Sequence, residues 1–138
     1  MVSVSIELEQ KIINFLSDKL SPFLIILFGS TAKGTTHPES DIDIAFLSDD
    51  TKMDKYILFM AAQELAADIG RDVDLIDLNQ ASTVFQAQIV QSGKIIYCTN
   101  ERKKDEFQTK ALKMYAKLNE ERHEILKNIN ESGTIYEK

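Results

Sequence analysis

Two aspartates one residue apart, Asp41 and Asp43, interrupt an apolar run that continues to Leu47. On an extended strand, residues i and i+2 face the same way. Asp41 and Asp43 therefore project together while Ile42 and Ile44 turn to the other side. Two carboxylates that close repel each other, and one takes up a proton unless a cation sits between them. A divalent ion removes the conflict, and oxygen-only ligands suit Mg²⁺, with Mn²⁺ as the alternative. "RDVDLIDL" supplies a second same-face pair, Asp72 and Asp74, whereas Asp77 falls on the opposite face. Two strands with acidic residues on a common face could close a two-metal site.

Upstream, Gly29 and Ser30 end a short apolar run, with ten residues between Ser30 and Asp41. Glycine lets the backbone approach a ligand closely. The Ser30 hydroxyl and the N–H groups after it can then donate to phosphate oxygens. A triphosphate held there would place its metal-bound oxygens near Asp41 and Asp43. An isolated Asp-x-Asp on a strand is often only a solvated edge. The combination of Gly-Ser, the spacing and the second apolar run is what points to chemistry.

The elements that must position these residues follow from hydrophobic spacing. Residues 7–20 carry Leu8, Ile12, Ile13, Phe15, Leu16 and Leu20 at helical intervals, and Ser21-Pro22 punctuates them. Phe23–Phe28 is a continuous apolar run, suited to a strand buried on both faces. A short helical or turn segment is predicted before His37-Pro38, then a strand over Asp41–Leu47. A helix over Met53–Ile69 places Ile57, Met60, Ala61, Leu65 and Ile69 on one face and stops at Gly70. Val73–Leu78 reads as a third strand, Ala81–Gln91 as a helix, and Lys94–Cys98 as a fourth strand. The pattern predicts a long final helix over Glu101–Asn130, with Phe107, Ala111, Met114, Leu118 and Ile125 in one stripe widened by Leu112, Tyr115 and Leu126, and a frayed tail. The fold class is α/β (α+β), a small mixed sheet with helices packed on it.

The chain has 138 residues, which suits one domain, a net charge of −6 and 43% hydrophobic residues. The acidic balance argues against a large footprint on nucleic acid, which needs clustered Lys and Arg. No apolar run reaches the ~20 residues that span a bilayer, and the N-terminal stretch lacks a signal-peptide pattern. The lone Cys98 cannot form an internal disulfide, so the expected location is cytoplasmic.

"LFGSTAKGTTHPESDIDIAFL", with its GS-x10-DID spacing, resembles the signature of the DNA polymerase β-like nucleotidyltransferases. The short chain is similar to their minimal nucleotidyltransferase subgroup. "ASTVFQAQIVQSGKIIY" and "KMYAKLNEERHEIL" look like segments of the antitoxins of HEPN–minimal nucleotidyltransferase toxin–antitoxin systems. The resemblance runs from about Leu24 to Leu126. It implies that Gly29 and Ser30 bind the nucleotide's phosphates and that Asp41 and Asp43 are the catalytic metal-binding pair. It also implies a third carboxylate, best matched by Asp74 with Asp72 as the alternative, and leaves Asp77 a structural role. ATP and two Mg²⁺ ions are implied, with a tyrosine hydroxyl of a HEPN-domain ribonuclease toxin as acceptor of AMP. Two other readings stay open: an antitoxin that neutralises by covering the toxin, and a nucleotidyltransferase acting on a small molecule.

Other residues invite attention and carry less. His37 and Lys33 lie in the loop before Asp41, where either a phosphate contact or solvent is expected. His123 sits among Glu120, Glu121, Arg122 and Glu124 on the final helix, a solvated face or a partner contact. Cys98 reads as a core residue. Between Arg102 and Lys117 the final helix carries six basic residues against two acidic ones. Its stripe and basic face either dock on its own sheet and face water, or meet a partner.

Overall fold

The computed structural model describes residues 6–29, 41–50 and 53–132. Their elements are helix α1 (Ile6–Leu20), strands β1 (Leu24–Leu27) and β2 (Ile42–Leu47), helix α2 (Lys55–Ile69), strand β3 (Val73–Asp77), a 3₁₀ turn (Leu78–Gln80), helix α3 (Thr83–Ser92), strand β4 (Lys94–Cys98) and helix α4 (Glu101–Ser132). The strands form one mixed sheet in the order β3-β2-β1-β4. β1 runs antiparallel to both β2 and β4, while β2 and β3 are parallel. A parallel pair needs a crossover, and α2 supplies it. This is the small mixed sheet that the sequence predicts, and Ser30, Lys33 and His37, which the sequence singles out, lie outside the described residues.

Two apolar clusters fill the two faces of the sheet. Ile25, Leu27, Ile42, Ile44, Phe46 and Leu75 pack with residues of α1 and α2 on one face. Leu24, Ile26, Ala45, Leu47, Leu78 and Ile89 make the other, under α3 and the start of α4. β1 is buried along its whole length, as a strand covered on both sides must be.

Several boundaries differ from the sequence pattern for local reasons. α2 starts at Lys55 rather than Met53, because the Asp54 carboxylate accepts from the Tyr56 N–H and caps it. Such a cap contributes about 1 kcal/mol. Gly70, at φ 70°, ends α2 in a left-handed turn. β3 ends at Asp77, whose side chain accepts from the Asn79 N–H and turns the chain into the 3₁₀ segment. Ser82 then caps α3.

Two apolar stripes are also reassigned. On α2 the buried line is Ala61, Ala62 and Leu65, flanked by Leu58 and Ile69, while Ile57 and Met60 face outward with Tyr56 and Phe59. The run "YILFMAA" is apolar all round, so spacing alone could not choose its inner side. On α4 Phe107 is partly buried, Ala111 is 2% exposed, and Tyr115 and Leu118 are partly buried. Met114, Ile125 and Leu126 are exposed.

Candidate active site

The β2–β3 register pairs Asp43 with Asp74. Because both belong to the same parallel ladder, their side chains leave adjacent strands toward one face. β3 alternates accordingly: Asp74 is exposed, Leu75 and Asp77 are buried. The Ile42 N–H donates to the Asp72 carbonyl at 2.9 Å, which fixes the start of β3 against the start of β2. Asp41, just before β2, is exposed. Asp43 is half-buried, and burial, then the negative charges of Asp74 and Asp41, push its carboxyl above the usual carboxylate range. Asp72 has no part in that shift.

Gly29 closes the site from the β1 side. The Phe28 N–H donates to the Asp43 carbonyl at 3.1 Å, so the exit of β1 is tied to Asp43 itself. The Phe28 ring stands edge-on to Phe85 of α3 at 5.5 Å, which anchors this corner in the core. Gly29 has φ 63°, and a Cβ there would lie 2.5 Å from Asp43 Oδ2. Only glycine combines that backbone with that approach. The turn and the Asp43 carboxylate are therefore in contact.

The donor set is oxygen-only and acidic, which fits a hard divalent cation. Among the described residues, no three Asp, Glu, His or Cys side chains already close into a metal-holding group.

Elsewhere the structure separates chemistry from support. The buried Asp77 carboxylate accepts from the Asn79 N–H at 3.0 Å and from Gln80 Nε2 at 2.8 Å, and it stands on the opposite face from Asp74. Cys98 is partly buried, and burial together with a hydrogen bond to Glu101 raises its thiol above the ordinary value, which keeps it protonated. His123 is exposed on α4. One feature escaped the sequence reading: a cleft of about 550 Å³ beside Asp74, lined in part by Lys55 and Phe59. Its only signal was the excess of apolar residues at the start of α2. No helix among the described residues is long and apolar enough to cross a membrane.

Residues 10–102 match the polymerase beta nucleotidyltransferase family. The chain is similar to the protein adenylyltransferase MntA of Shewanella oneidensis, 44% identical over 123 residues that make up 88% of this chain and 86% of that protein. A protein adenylyltransferase MntA of Aphanizomenon flos-aquae is 31% identical over 101 residues, 64% of this chain and 65% of that one. A toxin–antitoxin crystal structure with AMP-PNP contains a chain that superposes with a TM-score of 0.78 at 42% identity, covering 88% of this chain and 97% of that chain. A structure of the tri-AMPylated Shewanella oneidensis HEPN toxin in complex with MNT antitoxin contains a chain with a TM-score of 0.72 at 38% identity, covering 88% and 94%. With the family match spanning well over half of its length, the chain belongs to the polymerase beta nucleotidyltransferase family.

Proposed function

We propose that the chain is an antitoxin that neutralises a HEPN-domain ribonuclease toxin by transferring AMP from ATP to a tyrosine hydroxyl of that toxin, in the cytoplasm. The observation that carries the reading is the β2–β3 register, which sets Asp43 beside Asp74 with Asp41 next to them. The choice of acceptor is supported by the likeness to the MntA protein adenylyltransferases and to the complex with a tri-AMPylated HEPN toxin.

In this reading Gly29 and Ser30 receive the triphosphate. Gly29 has no side chain to keep a phosphate oxygen from Asp43, and the Ser30 hydroxyl donates to it. Asp41, Asp43 and Asp74 would hold Mg²⁺, as two ions, which would supply charge neutralisation at the triphosphate and ease ionisation of the acceptor. The tyrosine oxygen bonds to the α-phosphorus as the bridging oxygen toward the β-phosphorus departs with pyrophosphate. Asp74, exposed on the same face as Asp43, would take the phenolic proton and pass it to water. A phenol with a pKa of about 10 gives up that proton far more readily than an aliphatic alcohol.

The test is mass spectrometry of the HEPN-domain toxin after incubation with this protein, ATP and Mg²⁺. The expected result is addition of AMP to a toxin tyrosine, lost on chelation of the metal. An unmodified toxin bound in a stable complex overturns adenylyl transfer and leaves neutralisation by covering.

A further inference from the structure

The cleft beside Asp74 is lined by Lys55, Leu58, Phe59 and Ala62 of α2 and by every residue of β3. Successive strand residues face opposite sides of a sheet. A cavity over one face would meet only alternate residues, so contact with all five means that the cleft follows the outer edge of the strand. β3 is the last strand of the sheet on that side.

The backbone of that edge is available. Ile42 donates to the Asp72 carbonyl, and Ile42 is the register partner of Val73. In a parallel ladder a residue bonds the two residues that flank its partner. Asp72, Asp74 and Ile76 therefore direct their N–H and C=O groups to β2, and Val73, Leu75 and Asp77 direct theirs outward. Among the described residues no strand pairs with this edge. Such an edge is a template for an extended segment of another chain.

Three features say what kind of segment. Asp74, the register partner of Asp43, also borders the cleft, so the strand edge along the groove carries a carboxylate of the reacting centre on the face away from α2. Phe59, 57% exposed, and Leu58 offer apolar contact along the groove. At the far end, Gln80 Nε2 donates to the Met53 carbonyl and to Asp77, which brings the start of α2 and Lys55 to the end of β3. No ion pair to Lys55 occurs among the described residues.

We propose that this cleft is the acceptor-binding groove, in which an extended segment of the toxin pairs with the outer edge of β3. Its hydroxyl-bearing side chain is delivered to Asp74, apolar side chains lie on Phe59 and Leu58, and an acidic residue meets Lys55. Five strand residues span about 17 Å, which sets the length of the segment at about five residues. The proposal rests on the adenylyl-transfer reading and adds to it the site and chemistry of acceptor recognition.

The test uses the full chain and the purified HEPN-domain toxin. Phe59→Asp places a charge in the groove, and Tyr56→Asp places one on the same helix outside it. The expected result is a rise of about tenfold or more in the KM for toxin with Phe59→Asp, no change in the KM for ATP, and wild-type kinetics with Tyr56→Asp. Residue-resolved hydrogen exchange, with the Asp43→Asn variant holding the complex unreacted, should show new protection at the Val73 and Leu75 amides when toxin is added. The Ile76 amide, already in the ladder, should not change. A toxin KM within twofold of wild type for Phe59→Asp, or unchanged exchange at Val73 and Leu75, overturns the groove while leaving adenylyl transfer intact. Protection of those amides in the protein alone, rising with its concentration, assigns the edge to a second copy and also overturns it. Absence of transfer by the wild-type chain overturns the adenylyl-transfer reading, and the groove with it.

Discussion

Asp43 and Asp74 are register partners across the parallel β2–β3 ladder, so two carboxylates leave neighbouring strands side by side. Burial and the charges of Asp74 and Asp41 raise the Asp43 carboxyl above its ordinary value. An acid with a pKa raised by folding holds its proton more tightly in the native state. The stability it contributes is greatest below the pKa of the unfolded chain and is lost as the pH climbs through the raised native value. At neutral pH an ionised Asp43 thus works against the fold, and a bound cation would reverse that.

Asp43→Asn should therefore melt at or slightly above the wild-type temperature at pH 7 in EDTA. The two curves should converge as the pH falls toward about 4, where the unfolded carboxyl is itself protonated. The same variant should lose adenylyl transfer by roughly a hundredfold or more, as when an electrostatic contact to a developing charge is removed. Calorimetry over pH and a transfer assay check the two halves. A melting temperature several degrees below wild type at pH 7 would show that this carboxylate supports the fold instead.

Asp74 and Asp72 share a strand face by parity, yet only Asp74 raises the Asp43 carboxyl. Asp72 lies before β3 and contributes its backbone carbonyl to Ile42. Asp74→Asn should abolish most transfer, and Asp72→Asn should stay within a fewfold of wild type, since its main-chain bond survives the change. Parallel initial-rate assays decide this. The reverse ranking would move the third carboxylate to Asp72.

Gly29 and Gly70 separate strain from contact. Both have positive φ, at 63° and 70°. A Cβ at Gly70 meets nothing within 4 Å, whereas one at Gly29 meets Asp43 Oδ2 at 2.5 Å. Alanine at either position should cost about 1–2 kcal/mol of backbone strain. Only Gly29→Ala should also displace Asp43, and a displacement of that size can cost about a hundredfold in rate. Denaturant melts of both variants should look alike and their transfer rates should not. Equal rates would mean that Asp43 moves aside freely.

Much of this arrangement is legible in the residues, for physical reasons. Alternation on strands places Asp41 with Asp43 and Asp74 opposite Asp77 without any structure, because a period of two leaves no freedom. Gly29 announces a close approach but not its partner, since the contact with Asp43 depends on how β1 and β2 align. The β3 edge was invisible for the same reason: strand order is set by long-range pairing, and the sequence lists strands without saying which one is outermost. α2 misled because its first two turns are apolar on every side. The excess residues, Tyr56, Ile57 and Phe59, are exposed and no stripe identifies them.

The structure divides the basic residues of α4 in two. Lys103 pairs with Asp49 and lies over the Phe23 ring at 5.4 Å, Lys104 pairs with Glu101 and Asp105, and Arg102 pairs with Glu106. Lys110, Lys113 and Lys117 are exposed, and none has an ion pair among the described residues. In an acidic chain they form a local positive patch beside exposed Met114. If α4 meets the toxin, reversing all three to glutamate should slow association about tenfold or more at low salt, because complementary charge acts mainly on encounter. The effect should shrink near physiological ionic strength, where the screening length is about 8 Å. Melting temperature should barely move, since exposed charges add little to stability. Surface plasmon resonance at two salt concentrations measures the rates. Unchanged association at low salt would mean that the three lysines face only water, and the toxin would then be held by the β3 side of the molecule.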